Sequence, residues 1–107
     1  MNQAKELIDL IGNTPIIQVK RLNTGKCNLF LKLENTNPGY SIKDRVALNI
    51  INNAEKDGLL NKDSTIIEAS AGNTALGLAL IARIKGYKAT VVILDKMNDN
   101  KIFHLQA

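Results

Sequence analysis

Two short stretches hold residue types that could carry chemistry. The first is Asn37-Pro38-Gly39-Tyr40-Ser41-Ile42-Lys43-Asp44-Arg45. Pro38 and Gly39 interrupt any preceding strand, and Ser41 with Asp44 three residues later has the pattern of a capping box at the head of a helix. Lys43 then falls in the first helical turn, where unpaired amide N–H groups and the helix dipole make the surroundings positive and favour the neutral amine. A neutral amine is a nucleophile and a base. The same nine residues also fit a solvent-exposed lysine on an ordinary amphipathic helix. The second stretch is Ser70-Ala71-Gly72-Asn73-Thr74. Gly72 lets a backbone approach a ligand, Ser70, Asn73 and Thr74 offer side-chain hydrogen bonds, and the N–H groups of such a loop can converge on a carboxylate or phosphate. A plain turn between strand and helix, with Asn73 or Thr74 as N-cap, is the competing reading. The G-x-G-x-x-G dinucleotide spacing is absent, as is a phosphate-binding loop ending in Gly-Lys-Ser/Thr.

The elements that must position these stretches follow from periodicity. From Ile42 the apolar residues Ile42, Val46, Ile50 and Ala54, with Ala47 and Ile51 in the adjacent row, form the stripe of an amphipathic helix that ends at Gly58. Thr65 to Ala69 predicts a short strand, Ala75 to Lys85 a helix apolar on nearly all sides and stopped by Gly86. Ala89 to Leu94 predicts a continuous apolar strand of the kind covered on both faces. Strand, helix and strand of these lengths make a βαβ unit, so the fold class is α/β with an open parallel sheet. In such sheets ligands gather outside the carboxyl ends of the strands, where the stretch 70–74 lies. Upstream, a short helix is expected over Gln3 to Ile11, a strand over Ile16 to Leu22, a turn at 23–26, and a strand over Leu29 to Glu34 with Leu29, Leu31 and Leu33 on one face. The segment from Asn98 to Ala107 reads as a further helix.

Composition narrows the function classes. A chain of 107 residues, 45% hydrophobic, suits one globular unit rather than two. The net charge of +4 comes from lysines scattered without aromatic companions, which does not favour nucleic-acid binding. No apolar run approaches the roughly 20 residues that span a bilayer, and Met1 to Glu6 lacks the apolar region of a signal peptide, so a cytoplasmic location is expected. Cys27 has no partner for an internal disulfide, no Cys/His cluster has metal-ligand spacing, and His104 stands alone.

Four segments taken together resemble one family. They are Ile11-Gly12-Asn13-Thr14-Pro15; Leu31-Lys32-Leu33-Glu34 with Asn37-Pro38-Gly39; Ser41-Ile42-Lys43-Asp44-Arg45; and Glu68 to Thr74 followed by Gly77-Leu78-Ala79-Leu80. In order and spacing they are similar to the pyridoxal-phosphate enzymes of the cysteine synthase and cystathionine β-synthase group. The resemblance implies that Lys43 holds pyridoxal 5'-phosphate covalently, that Asn73 hydrogen-bonds the cofactor's ring hydroxyl, and that Ser70, Ala71, Gly72, Asn73 and Thr74 close on the substrate α-carboxylate. It implies β-replacement on serine or O-acetylserine, with sulfide or a thiol as second substrate, giving cysteine or cystathionine. It further implies a fold-type II architecture, a homodimer in the full-length family, and two parts. Residues 1–34 would be leading strands of the large lobe, and residues 35–107 the small lobe.

The chain departs from the group's usual pattern at Tyr40 and Ala75, where glycine is common, at Ala71, where cysteine synthases carry serine, and at Asp95, where proline is usual; Met97 matches. Members of the group are roughly three times as long, with the phosphate-cradling loop downstream. The expectation is therefore an N-terminal portion that is inactive alone, with unpaired strand edges that favour association. A catalytically silent βαβ module that binds a partner protein or a small acid is the alternative.

Overall fold

The computed structural model describes residues 4–70, 72–94 and 99–106, apart from the side chain of Lys101. Ala71, Asp95, Met97 and the ends of the expected last helix, Asn98 and Ala107, lie outside the described residues. Two helices form the centre. Helix α1 spans Lys43–Lys56 and helix α2 spans Asn73–Lys85. They pack through Ala47, Ile51, Leu78 and Ile81, all buried, with Ile8, Leu48, Leu60, Ile66, Ile84 and Tyr87 around them. Both helices stop where expected. Gly58 (φ +71°) and Gly86 (φ +81°) take the left-handed conformation. The amides of Leu59 and Tyr87 then reach back to the carbonyls of Ala54 (2.8 Å) and Ala82 (2.9 Å). At the same ends Glu55 of α1 accepts hydrogen bonds from Lys85 Nζ (2.5 Å) and the Tyr87 hydroxyl (2.9 Å), tying the two helices together.

The α/β class is as expected, and the sheet is smaller than expected. Strand β3 (Thr65–Ala69) pairs in parallel with β4 (Lys88–Val92), from Thr65↔Lys88 to Ala69↔Val92, and α2 crosses between them as one βαβ unit. Ile66 packs on the helical core, while Ile67 and Val92 on the opposite face are exposed. The apolar run 89–94 predicts cover on both faces; among the described residues only one face is covered. Helix α3 (Asp99–Gln106) packs beside α2.

The leading strands form a separate antiparallel ribbon. Strand β1 (Ile16–Gln18) pairs with β2 (Phe30–Lys32), so each is shorter than the expected 16–22 and 29–34. The amide of Val19 donating to Leu29 O and that of Leu33 donating to Pro15 O, both at 2.9 Å, extend the pairing by a step at each end. All six ribbon residues are exposed, including Ile16, Ile17, Phe30 and Leu31. With a radius of gyration of 16.7 Å, the chain is more extended than the ~13 Å of a compact domain of this length.

Two further expectations are corrected. The helix expected over Gln3 to Ile11 is a single 3-10 turn, Leu7–Leu10. The Asp9 carboxylate accepts the amides of Lys5 and Glu6 (both 3.1 Å), and the chain then turns through Gly12 (φ +89°) and Asn13 (φ +46°) instead of continuing. On α1, the buried row is Ala47 and Ile51, whereas Ile42, Val46 and Ile50 of the predicted stripe are exposed. An apolar stripe two rows wide specifies a helix, but not which row meets its neighbour.

Candidate functional site

Lys43 is the first residue of α1, as the sequence predicts, but the capping box does not form. The Ser41 hydroxyl accepts the amide of Lys43 (3.1 Å), two residues on instead of three. Asp44 reaches past Ser41 and accepts the amide of Gly39. The turn 37–40 folds back over the helix head and brings Gly39 there; a Cβ at Gly39 would overlap the Asp44 carboxylate. Asp44 is fully buried, and its Oδ1 has no hydrogen-bond partner among the described residues. Burial accordingly raises its carboxyl above the ordinary value, with the Gly39 amide opposing the shift.

A buried polar hub fixes that turn. Asn37, 1% exposed, accepts the amide of Gly12 on Oδ1 (2.8 Å). Its Nδ2 donates to the carbonyls of Glu34 (2.8 Å) and Ser41 (3.0 Å) and to Glu34 Oε2 (3.0 Å). Arg45 grips Glu34 through Nε (2.8 Å) and Nη2 (3.1 Å). Thr14 donates to Glu34 Oε1 (2.6 Å) and accepts from Arg45 Nη2 (3.2 Å). Three segments distant in sequence are thus bonded around the start of α1. In the sequence these residues are motif members with no role assigned by their spacing.

The hub carries a pH signature. The Arg45 guanidinium, and after it the Thr14 hydroxyl, hold the Glu34 carboxyl down from 4.5 to about 2. The folded state therefore binds fewer protons than the unfolded state between those values. The stabilisation from Glu34 is complete above about pH 4.5 and is lost as pH falls toward 2. Asp44 acts in the opposite sense, since protonation relieves its burial. In Glu34→Gln, the urea-midpoint deficit relative to wild type is expected to be largest at pH 7 and to close by about pH 2. A deficit that stays constant with pH would show that the ion pair adds nothing to the fold.

The other stretch begins α2. Gly72 is the N-cap residue, and no side chain caps the helix, which corrects the alternative that gave this role to Asn73 or Thr74. The Ser70 hydroxyl accepts the Gly72 amide (3.2 Å), so that N–H points back into the loop. The next amides, from Asn73 onward, belong to the first turn and have no intrahelical partner. Asn73 is exposed, and neither its amide side chain nor the Lys43 amino group makes a hydrogen bond or ion pair among the described residues. Thr74 is half-buried. Gly72 has an extended backbone (φ −122°) that any residue adopts, and a Cβ there would meet only Ser70 Oγ, at 3.9 Å. Nothing within the described chain calls for a glycine at this place.

A close contact joins the two helices that these stretches begin. The carbonyl oxygen of Lys43 lies against Gly77 of α2, where a Cβ would come within 2.9 Å of it. Gly77 is one helical turn, about 6 Å of rise, beyond Asn73. The heads of α1 and α2 therefore lie at the same end of the helix pair. A cavity of about 350 Å³ is lined there by Gly39, Tyr40, Gly72, Asn73, Leu76, His104 and Leu105. Lys43 is not among these lining residues, although it follows Tyr40 by three positions. His104, which stands alone in the sequence, enters this wall from α3. A larger cavity of about 800 Å³ between α2, β4 and α3 includes none of the residues predicted for the site.

A family model described as pyridoxal-phosphate dependent enzyme matches residues 7–107. The chain belongs to this family. Within it, a cysteine synthase from Flavobacterium sp. is 52% identical over 91 residues, 85% of this chain and 30% of that protein. A cystathionine beta-synthase from Apis mellifera is 43% identical over 105 residues, 95% of this chain and 21% of that protein. The solved structure of a hydrogen sulfide-producing enzyme from Fusobacterium nucleatum superposes with a TM-score of 0.96 at 45% identity, over 99% of this chain and 35% of that one. The chain thus spans about a fifth to a third of the length of these relatives.

The residues present fit the family's cofactor. An unengaged amine, an unengaged amide, an uncapped helix N-terminus and an uncrowded glycine are what an aldehyde-bearing, anionic ligand needs. No helix among the described residues is long and apolar enough to cross a membrane, and no group of His, Cys, Asp and Glu could hold a metal ion there.

Proposed function

We propose that this chain supplies the Lys43 and Asn73 side of a pyridoxal-phosphate site for β-replacement on serine or O-acetylserine, yielding cysteine or cystathionine. The observation that carries this reading is the Lys43–Gly77 backbone contact, which holds the unengaged amine and the uncapped head of α2 at one end of the helix pair. The cofactor, when bound, supplies an electron sink for the substrate's α-carbon. Lys43 anchors the cofactor, then removes the α-proton as a base and returns it as an acid. Asn73 donates a hydrogen bond to the cofactor's ring hydroxyl. Ser70, Ala71, Gly72, Asn73 and Thr74, with the free amides of α2, orient the substrate carboxylate and so select the bond that breaks. Sulfide or a small thiol completes the exchange.

In this reading residues 1–34 belong to a large lobe and residues 35–107 to a small one. The exposure of both ribbon faces and of one face of β3–β4 supports that division, because parallel strands are otherwise covered on both sides. A two-stranded ribbon is marginal by itself. A cytoplasmic enzyme that acts as a homodimer at family length completes the proposal. The 107-residue chain alone then binds the cofactor weakly and turns over no substrate.

The test is to mix the chain with pyridoxal phosphate, reduce with borohydride and map the modified lysine by mass spectrometry. One dominant adduct at Lys43, without formation of cysteine from O-acetylserine and sulfide, is the expected result. Labelling spread evenly over the lysines would favour the alternative, a silent βαβ module whose α2 N-terminus binds a small acid.

A further inference from the structure

Tyr40 bears two penalties that a glycine at the same place would avoid. Its φ of +64° lies in the left-handed region, which bulky side chains rarely enter, and the residue is 74% exposed. Asn13, the other non-glycine residue with positive φ among the described residues, belongs to a type that tolerates it. Strain of this kind persists only where the surroundings dictate the backbone, and here they do. The Tyr40 amide donates to Asn37 O (2.8 Å), the Asn37 side chain holds the Ser41 carbonyl (3.0 Å), and Asp44 holds the Gly39 amide on the other side. The locked turn sets where the residue sits, in the lining of the 350 Å³ cavity shared with Gly72 and Asn73, beside Leu76 and Leu105.

From this we infer that Tyr40 is a specificity-determining residue, whose ring narrows the cavity beside Asn73 so that it accepts amino acids with short side chains and rejects long thioether products. The inference rests on the pyridoxal-phosphate reading. Removing the ring relieves the backbone and opens the cavity at once, so stability and selectivity move in opposite directions.

Two stable probes separate these effects without any turnover: the borohydride-reduced adducts phosphopyridoxyl-L-alanine and phosphopyridoxyl-L-cystathionine, titrated calorimetrically into the chain. Wild type is expected to bind the alanine adduct about tenfold more tightly. Tyr40→Gly is expected to raise the melting temperature by about 5 °C and to reduce that preference to about twofold. Tyr40→Phe, which keeps the ring, retains the wild-type preference. A preference unchanged in Tyr40→Gly overturns the inference and leaves the cofactor reading standing. Failure of both adducts to bind wild type even at millimolar concentration, where weak binding is still seen, overturns the two together.

Discussion

Replacing Lys43 with alanine is expected to lower borohydride-trapped pyridoxal phosphate by about tenfold or more, because Lys43 stands at the end of the helix pair that also carries Asn73 and the uncapped head of α2. The Lys43 amino group is free to react, having no hydrogen bond or ion pair among the described residues. For the same reason the substitution removes nothing the fold uses. Alanine is the strongest helix former, so the urea midpoint should move by no more than about 0.5 kcal/mol of stability. Lys56, at the far end of the same helix, provides the control, since Lys56→Ala should leave labelling unchanged. Intact-mass stoichiometry and a urea melt decide the matter. Equal labelling in both variants would mean that the helix head confers no special reactivity, and the cofactor assignment would fail with it.

How much of this was legible beforehand depended on how far apart the interacting residues lie. Helices α1 and α2 and the β3–α2–β4 unit announce themselves through local signals, an apolar period and the glycines at 58 and 86, and the structure places them within a residue or two of expectation. The capping box at Ser41 and Asp44 looks equally local, yet it fails because Gly39, brought back by the turn, offers Asp44 a different amide. Which row of α1 is buried was illegible for a related reason. Val46 and Ala47 are both apolar, and only the position of Gly77, which lets α2 come close to Ala47, decides between them. His104 shows the same limit at the site, since a lone histidine on a short helix carries no sign that α3 will bring it beside Asn73. Lys43 and Asn73 were nameable because their motifs are contiguous. What joins them, a backbone contact between residues 34 positions apart, has no local signature.

Asn37→Ala should have the largest effect on folding, about 3–5 kcal/mol. The residue is 1% exposed, and its amide makes hydrogen bonds to four groups: the Gly12 amide, the Glu34 and Ser41 carbonyls and the Glu34 carboxylate. Truncation strands these groups where water has little access, and each buried polar group left unpaired costs about 1–3 kcal/mol. The losses share one site and will not simply add. Even so, the total is a large share of the roughly 5–15 kcal/mol that holds a domain of this kind together. Asn37→Asp separates hydrogen bonding from packing. It keeps the acceptor for Gly12 and the volume, but sets a carboxylate beside the Glu34 carboxylate and two carbonyls, so it should destabilise nearly as much at pH 7. Lowering the pH below the usual carboxylate range should restore part of the loss in Asn37→Asp and none in Asn37→Ala. Because Asn37 also fixes the turn that leads into Lys43, both variants should lower labelling of Lys43 even where enough folded protein remains to measure. If Asn37→Ala melts like wild type and labels like wild type, the hub does not hold the head of α1, and the placement of the lysine must come from the contact with α2 alone.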